Sequence, residues 1–403
     1  MFREERRNKI LEHLDKHERV TVDWLAGHFA VTKETIRSDL AALVKQGLIR
    51  RCHGGAMIVR RNLQSRLISE TGDNFEVLLK RLSEQEPVRN PDVSPHALRG
   101  KVCILGAFNV DIVAWVHRFP RGGESLLAQR SSLGPGGKGA NQAMAASRAG
   151  AQVHFVAKVG KDQFSQFAFD HLASSGIHSF RLYQSEREPT GNALIYVSQD
   201  DGENMIAIYS GANKTLSNDE IASMSPELAS SNVLLVQLEN NFDATLNAMK
   251  LARALGVQVI MNPAPFSPDI LSCIDLIDII TPNETEASLL SGVEITDLES
   301  ARAAALAIVA RGAKRVIITM GSRGALIYDN QQFQHIPAFP ALSVDTTGAG
   351  DAFNGALAAA IADGQTLAQA ATFASAFASL AVEREGASNM PAYQQVISRL
   401  ALR

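Results

Sequence analysis

Residues 345–364 read DTTGAGDAFNGALAAAIADG, a glycine-rich turn that leads into an alanine-rich stretch. Apolar residues recur there at helical spacing, which predicts a helix that begins near Gly350. The first N–H groups of a helix, together with its dipole, favour a bound anion. Asp351 nevertheless places a carboxylate at this helix start. From the pattern alone, a functional role and a first-turn residue that complements the helix dipole are both open.

The chain around this stretch alternates strands and helices from residue 101 onward. Short apolar runs typical of buried strands occupy residues 102–108, 153–159, 232–238, 257–262, 277–283 and 315–321. Helical patterns lie between them, which predicts an α/β domain, a doubly wound and mostly parallel sheet that binds ligands at the carboxyl ends of its strands. Residues 122–134 and 191–211 alternate like strands instead, and they predict a small antiparallel lid over the site.

A small helical module precedes this domain. Residues 1–60 hold 12 Lys and Arg against 8 Asp and Glu, although the whole chain carries a net charge of −3. Apolar stripes predict a helix over residues 3–16 and two further short helices with a break of about four residues, which indicates a helix-turn-helix. Thr32 suits the N-cap of the second of these helices. A β-hairpin with a Gly54–Gly55 turn then predicts a wing. A helical dimerisation or docking domain is also open on pattern alone.

The run TKETIRSDLAALVKQGLIRRCHGGA, residues 32–56, resembles the DNA-binding domain of the DeoR family of bacterial repressors. The resemblance implies a winged helix-turn-helix over residues 1–58 and operator DNA as a partner. Ser38 departs from it, because the family often has a second arginine beside Arg37, and this leaves the operator sequence open. The residues expected to contact DNA are Lys33, Thr35, Arg37, Ser38, Arg50 and Arg51. Residues 59–99 are expected to form a linker that is partly helical or carries a dimerisation helix.

Two common nucleotide motifs are absent from the sequence. Neither GxxxxGK[ST] nor a GxGxxG after the first strand occurs, which argues against a P-loop ATPase and a dinucleotide-dependent dehydrogenase. Instead, GPGGKGANQA at residues 134–143 opens a helix. Lys138 and Asn141 can then face a polyhydroxyl ligand or an anion. The alternative is a tight turn with Lys138 exposed to solvent.

Polar side chains follow two of the apolar strands. Asn109 and Asp111 come after the first, and Glu239 comes after the third. At the ligand-binding edge of an α/β sheet these groups suit hydrogen bonds to vicinal hydroxyls, although Asn and Asp also form ordinary turns.

GGKGANQAMAASRAG and DTTGAGDAFNGA resemble the two signatures of the PfkB family of sugar kinases, and NPAP, TPNETE, MGSRGA and REGA agree with them in order. The resemblance covers residues 100–403 and implies a ribokinase-like fold with ATP, Mg²⁺ and K⁺ as cofactors. It implies that Asp351 is the catalytic base and that the backbone of Gly348, Ala349 and Gly350 forms an anion hole.

The same resemblance assigns the remaining site residues. It places the sugar against Asn109, Asp111, Gly137, Lys138, Asn141 and Glu239. It places ATP against Asn283, Thr319, Gly321, Ser322, Gly324, Gly350 and Ser375, with Glu286 holding Mg²⁺ partly through water. It places a monovalent cation against Asp345, Thr347, Ala381, Arg384, Gly386 and Ser388. Three positions depart from the family pattern: the hydroxyl assigned to Ser388 has no clear counterpart, Ser375 replaces a frequent histidine, and Phe108 is bulkier than usual.

Together these patterns predict an ATP-dependent kinase that phosphorylates a pentose, ribose or a close relative, at its primary hydroxyl, fused to a transcriptional regulator. Deoxyribose and a nucleoside such as pseudouridine remain open as substrates, and so does a repressor whose kinase-like domain only senses sugar. Three scattered cysteines and the lack of a signal-like or membrane-spanning run lead us to expect a cytosolic protein without a membrane partner. A homodimer is expected for palindromic DNA.

Overall fold

The computed structural model describes residues 6–7, 9–10, 13–14, 19–29, 31–45, 49–52, 55–58, 75, 100–200 and 203–402. The chain forms two compact units, Met1–Asp73 and Asn74–Arg403. Apart from residue 75, the expected linker over 59–99 lies outside the described residues. The domain boundaries given above therefore stay a prediction.

The first unit contains a helix pair and a three-stranded sheet. Its elements are β1 (Arg19–Thr21), α1 (Val22–His28), α2 (Lys33–Lys45), β2 (Ile49–Cys52) and β3 (Gly55–Ile58). The strands pair antiparallel in the order β1-β3-β2, so the predicted hairpin is joined by a strand that the sequence pattern did not indicate. Gly55 is the first residue of β3 rather than part of the turn.

Apolar residues of α1, α2, β1 and β3, together with two residues that precede β1, form one core. They are Ile10, Leu14, Val20, Leu25, Ile36, Leu40, Leu43 and Ala56. The hydroxyl of Thr32 accepts the N–H of Thr35 at 3.2 Å, as expected of an N-cap. Asp39 is buried, and its carboxylate pairs with the guanidinium groups of Arg6 and Arg7 at 2.6 and 3.0 Å.

The second unit is built on a nine-stranded sheet. Its strands are β4 (Lys101–Leu105), β7 (Gln152–Gly160), β8 (Ser179–Ser185), β11 (Val233–Val236), β12 (Gln258–Met261), β13 (Ile279–Ile280), β14 (Val316–Thr319), β15 (Ala325–Asp329) and β16 (Gln332–Ile336). They lie in the order β16-β15-β14-β13-β12-β11-β4-β7-β8. The strands from β8 to β14 pair parallel, and β15 and β16 extend the sheet antiparallel. The sequence pattern did not indicate β8, β15 or β16.

Helices cover both faces of this sheet. They are α3 (Lys138–Arg148), α4 (Gln163–Ser174), α5 (Asn218–Ala222), α6 (Ser225–Ala229), α7 (Phe242–Ala254), α8 (Glu284–Ser291), α9 (Leu298–Ala310), α10 (Ala349–Ala362), α11 (Leu367–Ala381) and α12 (Tyr393–Ala401), with 3₁₀ segments at Gly211–Thr215, Pro268–Leu276 and Gly321–Arg323. Side chains of β4 alternate between two cores: Val102 and Ile104 pack with α3 and α10, and Cys103 and Leu105 with α7 and α9.

A separate four-stranded sheet forms the lid. Its strands are β5 (Asn109–Val116), β6 (Arg130–Gly136), β9 (Asn192–Ser198) and β10 (Asn204–Tyr209). They lie in the order β10-β9-β5-β6. The prediction of an antiparallel lid was wrong in one respect, because β5 and β9 pair parallel. Both strands leave the main sheet at the same edge, β5 only three residues after β4, and so they run in the same direction.

Across the described residues, no helix is long and apolar enough to cross a bilayer.

Candidate active site

The polar side chains predicted to form a site follow β4, β11, β13 and β14 at the carboxyl edge of the parallel sheet. Gly106 follows β4 and lies against the first turn of α3, since a Cβ on Gly106 would meet the Cα of Gly139 at 2.5 Å. This close approach brings the N-terminus of α3 onto the sheet edge, with Gly137 as its N-cap. The turn and helix of residues 134–143 thereby become part of the site.

Asp351 lies in the first turn of α10, and its side chain is buried, with 6% of its surface exposed. Its Oδ2 accepts a hydrogen bond from Nδ2 of Asn141 at 3.1 Å, and its Oδ1 accepts one from Nε2 of Gln142 at 3.0 Å. Both donors lie on α3, 210 and 209 residues away in sequence. The carboxylate is therefore held in one plane by two amides.

The turn before α10 has the shape expected of an anion hole. Gly348 is the N-cap and has a φ of 77°, in the left-handed region that favours glycine. The N–H of Ala349 already donates to the carbonyl of Thr346 at 3.2 Å. Because the first N–H groups of a helix have no partner within the helix, the amide of Gly350 is well placed for an anion.

Lys138, Glu239 and Asp351 form a charged group at the start of α3. The N–H of Lys138 donates to Oε2 of Glu239 at 2.8 Å. Burial lowers the pKa of the Lys138 ammonium, but the carboxylates of Asp351, Glu239 and Glu286 outweigh burial and raise it. Burial is the main cause of the raised pKa of Glu239. The site thus holds one firmly protonated lysine among three acids.

Asn109 is fixed by a residue that the sequence did not single out. Asn213 is buried, and its Nδ2 donates to Oδ1 of Asn109 at 2.9 Å and to the carbonyl of Phe108 at 3.1 Å, while its Oδ1 accepts the N–H of Phe108. These bonds clamp the start of lid strand β5 to the body. With its oxygen engaged, the amide of Asn109 is left to donate to a ligand.

Asp111 follows on the same face of β5, and burial raises the pKa of its carboxyl to about 6. An ionised carboxylate accepts two hydroxyl hydrogen bonds, and protonation removes part of that capacity. Because the raised pKa means that Asp111 is ionised above pH 6 and protonated below it, sugar affinity is expected to fall about tenfold between pH 7.5 and pH 5. Calorimetric titration with sugar alone, without ATP or Mg²⁺, measures this change.

The matched variant for this pH dependence is Asp111→Asn. It should bind sugar more weakly than the native protein at pH 7.5 and lose most of the dependence between pH 5 and 7.5. An unchanged pH dependence in this variant would assign the titration to another group.

Asn283 and Glu286 form a reciprocal cap at the start of α8. The N–H of Glu286 donates to Oδ1 of Asn283 at 2.8 Å, and the N–H of Asn283 donates to Oε2 of Glu286 at 3.0 Å. Burial raises the pKa of Glu286, and the Asn283 N–H opposes it. A single buried carboxylate fits Mg²⁺, which keeps several waters and takes one or two protein carboxylates.

The residues predicted for ATP lie along one edge of the sheet. Asn283 forms a parallel bridge with Thr319, whose N–H donates to the Pro282 carbonyl at 3.0 Å. The exposed turn Gly321–Arg323 follows, and it contains Ser322 and ends at the buried Gly324. Ser375 lies half-buried in α11, and its assignment to ATP remains a prediction.

Asp345 anchors the loop predicted to hold a monovalent cation. Its carboxylate accepts the N–H of Thr347 at 2.8 Å and the N–H of Gly386 at 3.0 Å. Burial opposes ionisation, but these N–H groups outweigh it and lower the pKa of Asp345. The carbonyl of Ala381 accepts the N–H of Arg384 at 3.1 Å and has a second lone pair. An ionised carboxylate with backbone carbonyls fits a monovalent cation.

Two other residues of this loop point elsewhere. The guanidinium of Arg384 donates to the carbonyl of Met390 and to Oε1 of Gln395. The hydroxyl of Ser388 lies 2.8 Å from Oδ1 of Asn141 and 3.2 Å from the Pro135 carbonyl. Ser388 therefore contacts the sugar side of the site rather than Asp345, because the chain turns toward the lid after Gly386.

In the first unit, the predicted DNA-contacting residues of α2 lie at the solvent-facing side of that helix. Lys33 pairs with Asp23 at 2.9 Å, and Arg37 pairs with Glu34 at 3.1 Å. Thr35 is half-buried and Ser38 exposed. Arg50 and Arg51 lie in β2, the first strand of the wing. Ion pairs between exposed side chains are weak, so phosphates can displace them.

Sequence reasoning missed the polar groups behind the site. Gln142, Gln237, Asn262 and Asn213 are all buried. A signal was available for two of them, since Gln237 and Asn262 each directly follow an apolar strand. For Gln142 the only signal in the sequence was a polar residue on a helix face that is otherwise rich in alanine.

Comparison with known proteins matches both parts of the chain. The family model described as pfkB family carbohydrate kinase matches residues 99–393, and that of the DeoR-like helix-turn-helix domain matches residues 6–62. Ribokinase of Haemophilus influenzae is 38% identical over 307 residues, which cover 75% of this chain and 99% of that protein. Deoxyribokinase of Salmonella typhi is 34% identical over 303 residues, with the same coverage of 75% and 99%.

A solved structure of Arabidopsis thaliana ribokinase, complexed with ribose and ATP, superposes with a TM-score of 0.70 at 30% identity. The superposition covers 75% of this chain and 99% of the plant protein. The expected ribokinase-like α/β fold with a preceding helix-turn-helix domain is thus confirmed.

Proposed function

Since the chain belongs to the pfkB family of carbohydrate kinases and is an ATP-dependent kinase, we propose that it phosphorylates ribose or a close pentose relative at the primary hydroxyl. The observation that carries this proposal is the Asp351 carboxylate, buried and held by two amides directly after the glycine turn Gly348–Gly350. A base and an anion hole on adjacent residues suit phosphoryl transfer to a hydroxyl.

In the proposed reaction, Asp351 accepts the proton of the sugar hydroxyl as its oxygen attacks the γ-phosphorus of ATP. The new O–P bond forms while the bond from the γ-phosphorus to the β,γ-bridging oxygen breaks, and ADP leaves with that electron pair. Backbone N–H groups at the start of α10 stabilise the charge on the phosphoryl oxygens. Asn109, Asp111 and Glu239 orient the sugar, and the clamp by Asn213 keeps Asn109 in place.

The charged residues of the site have the remaining roles in the proposed reaction. Lys138, kept protonated by its acidic neighbours, neutralises the transferring phosphoryl group. Glu286 would hold Mg²⁺ partly through water, and bound Mg²⁺ supplies positive charge to the phosphates. Asp345 and the carbonyls around it would hold K⁺ next to the anion-hole turn. Arg384 could contribute only its backbone carbonyl to the cation, and Ser388 would support the loop through its side chain rather than bind the cation.

The test uses purified full-length protein with ATP, Mg²⁺ and K⁺ and a panel of ribose, 2-deoxyribose and pseudouridine. ADP release that depends on ribose or deoxyribose supports the proposal, and the kcat/KM values rank the two. The panel is needed because relatives named ribokinase and deoxyribokinase resemble the chain to a similar degree. A preference for pseudouridine would overturn the assignment to a free pentose, and no turnover with any substrate would favour a sugar sensor.

We propose that the DeoR-like domain binds operator DNA through α2 and the wing, and that the protein regulates transcription. Arg37 is exposed on α2, at a position that faces the major groove in helix-turn-helix proteins. Arg37→Ala is expected to weaken operator binding about 10- to 100-fold, because a good arginine contact contributes about 1–3 kcal/mol. Fluorescence anisotropy on an operator selected from a random library measures this loss.

Arg148→Ala, at the exposed end of α3 in the kinase unit, is the control for this variant and should bind operator normally. Equal operator affinity of Arg37→Ala and native protein would exclude Arg37 from the DNA interface.

We further propose a homodimer formed through the lid. The lid face opposite Asp111 carries four exposed apolar side chains, Leu133, Leu194, Tyr196 and Met205. Such a patch on a small sheet is typical of a protein interface. Two-fold symmetry would also suit a palindromic operator. Light scattering of the full-length protein tests this, and a monomer at micromolar concentration would contradict it.

A second role is favoured by the fusion itself. If sugar or ATP changes operator affinity, the kinase unit also acts as a sensor, which requires different affinities for the ligand in the two states. Gel-shift titrations with and without sugar and a non-hydrolysable ATP analogue measure this coupling. Identical operator affinity in all conditions would leave two independent activities on one chain.

A further inference from the structure

Gln142 lies beside Asn141 on α3, and none of its surface is exposed. Its Nε2 donates to Oδ1 of Asp351 at 3.0 Å and to Oδ1 of Asn262 at 3.1 Å. The two hydrogens of one amide group are therefore used on two oxygens, one of which belongs to the proposed base.

The orientation of this amide is determined by its third neighbour. Nε2 of Gln237 donates to Oε1 of Gln142, so the oxygen of Gln142 faces Gln237 and its nitrogen faces Asp351. The reversed amide would place an oxygen against the oxygens of Asp351 and Asn262 and an NH₂ group against that of Gln237. All three contacts would then be repulsive, and only one orientation satisfies the group.

The supporting amides come from the ends of neighbouring strands. Gln237 follows β11 and Asn262 follows β12, and both are buried. Nδ2 of Asn262 donates to the carbonyl of Thr281 at 3.3 Å. Oε1 of Gln237 is buried without a hydrogen-bond partner among the described residues, next to Gly106, whose missing side chain leaves the space for it. Such an unpaired group costs stability. This cost indicates that the hydrogen-bonded amides serve the site rather than the stability of the fold.

We propose that Gln142, oriented by Gln237 and Asn262, is a positioning residue that holds the Asp351 carboxylate aimed at the sugar hydroxyl. The proposal rests on the proposed role of Asp351 as the base. Gln142 acts through Asp351 alone, whereas Asn141, the donor to the other oxygen, is also linked to Ser388. Hydrogen bonds to a carboxylate favour its charged form and fix its plane.

The test is Gln142→Met, which keeps the length and burial of the side chain and removes the N–H donor. The kcat is expected to fall about 10- to 100-fold, the range typical of a lost supporting hydrogen bond at a site. The KM values for sugar and ATP should stay within about twofold, since Gln142 touches neither ligand in the proposed arrangement.

Gln166→Met is the matched control. Gln166 also donates its Nε2 to an aspartate, Asp170, at 2.8 Å, but on the exposed surface of α4. This variant should leave kcat and both KM values unchanged. A folded Gln142→Met protein with native kcat would overturn the proposal.

Gln237→Met provides the second measurement if Gln142→Met fails to fold. It frees the Gln142 amide to rotate, and a smaller loss of kcat with nearly unchanged KM values is expected. A native kcat in this variant would equally contradict the proposal. Asp351→Asn separates the two hypotheses. An active Asp351→Asn protein would contradict the role of Asp351 as the base. An inactive Asp351→Asn protein together with a fully active Gln142→Met protein would contradict only the positioning role of Gln142.

Discussion

Asp351→Asn is expected to lower kcat about 1000-fold, within the range of 10²–10⁴ that general-base catalysis contributes. The amide cannot take the proton of the sugar hydroxyl, but it has nearly the same shape as the carboxylate. Because the proposed arrangement holds the sugar mainly through Asn109, Asp111 and Glu239, its dissociation constant should change by less than about fivefold. Steady-state kinetics at saturating ATP and calorimetry with sugar alone measure the two quantities.

The control is Asp363→Asn at the opposite, exposed end of the same helix, which should retain native kinetics. Retention of kcat in Asp351→Asn would show that another group takes the proton. Loss of sugar binding together with kcat would instead assign Asp351 to substrate binding.

Gly355→Val is expected to cost about 3 kcal/mol of stability in the kinase unit, the upper part of the range for overpacked cores. A Cβ on Gly355 would lie 2.4 Å from the carbonyl oxygen of Gln142 and 2.5 Å from Cβ of Ala145. The first of these atoms is backbone and cannot rotate away. Replacing a helical glycine with valine gains less than about 1 kcal/mol of helix propensity, which is smaller than the cost of this clash. The thermal unfolding transition of the kinase unit measures the difference.

This variant also separates the two helices that form the site. Gly355 lies where α10 crosses α3, one turn after Asp351 and against the backbone of Gln142, one of its two amide donors. A shift of about 1 Å at this crossing is expected to reduce kcat about 100-fold even in protein that remains folded. Gly122→Val is the control, because a Cβ there meets nothing within 4 Å. A Gly355→Val protein of native stability would mean that the helices separate without cost.

Much of the site was predictable because its chemistry is local. Asn109 and Glu239 follow apolar strands, and polar residues at that edge of a parallel sheet meet ligands. The glycines before α10 and the helix that starts at Ala349 also follow from a short pattern. Asn283 and Glu286 lie three residues apart, so their reciprocal cap depends only on the helix start.

Other features depended on distant parts of the chain and could not be predicted in this way. Strand β5 alternates weakly and pairs parallel with β9, some 80 residues later, so the lid's topology was not predicted correctly. Ser388 suited the cation site by its order in the sequence, yet the loop carries its hydroxyl to Asn141. In both cases the partner is chosen by the path of the chain between elements, which local periodicity does not record.

The sequence by itself indicated most of the strands and helices, the resemblance of each part to a family and the residues proposed to bear the chemistry, because each depends on a few neighbouring positions. Only the tertiary structure decided how Asp351 is held. Its two amide donors lie about 210 residues away on another helix, and their support comes from the ends of two strands. They meet because β12, β11 and β4 are neighbours in the sheet and Gly355 lets α10 touch α3. Close packing, rather than any local pattern, positions the proposed base.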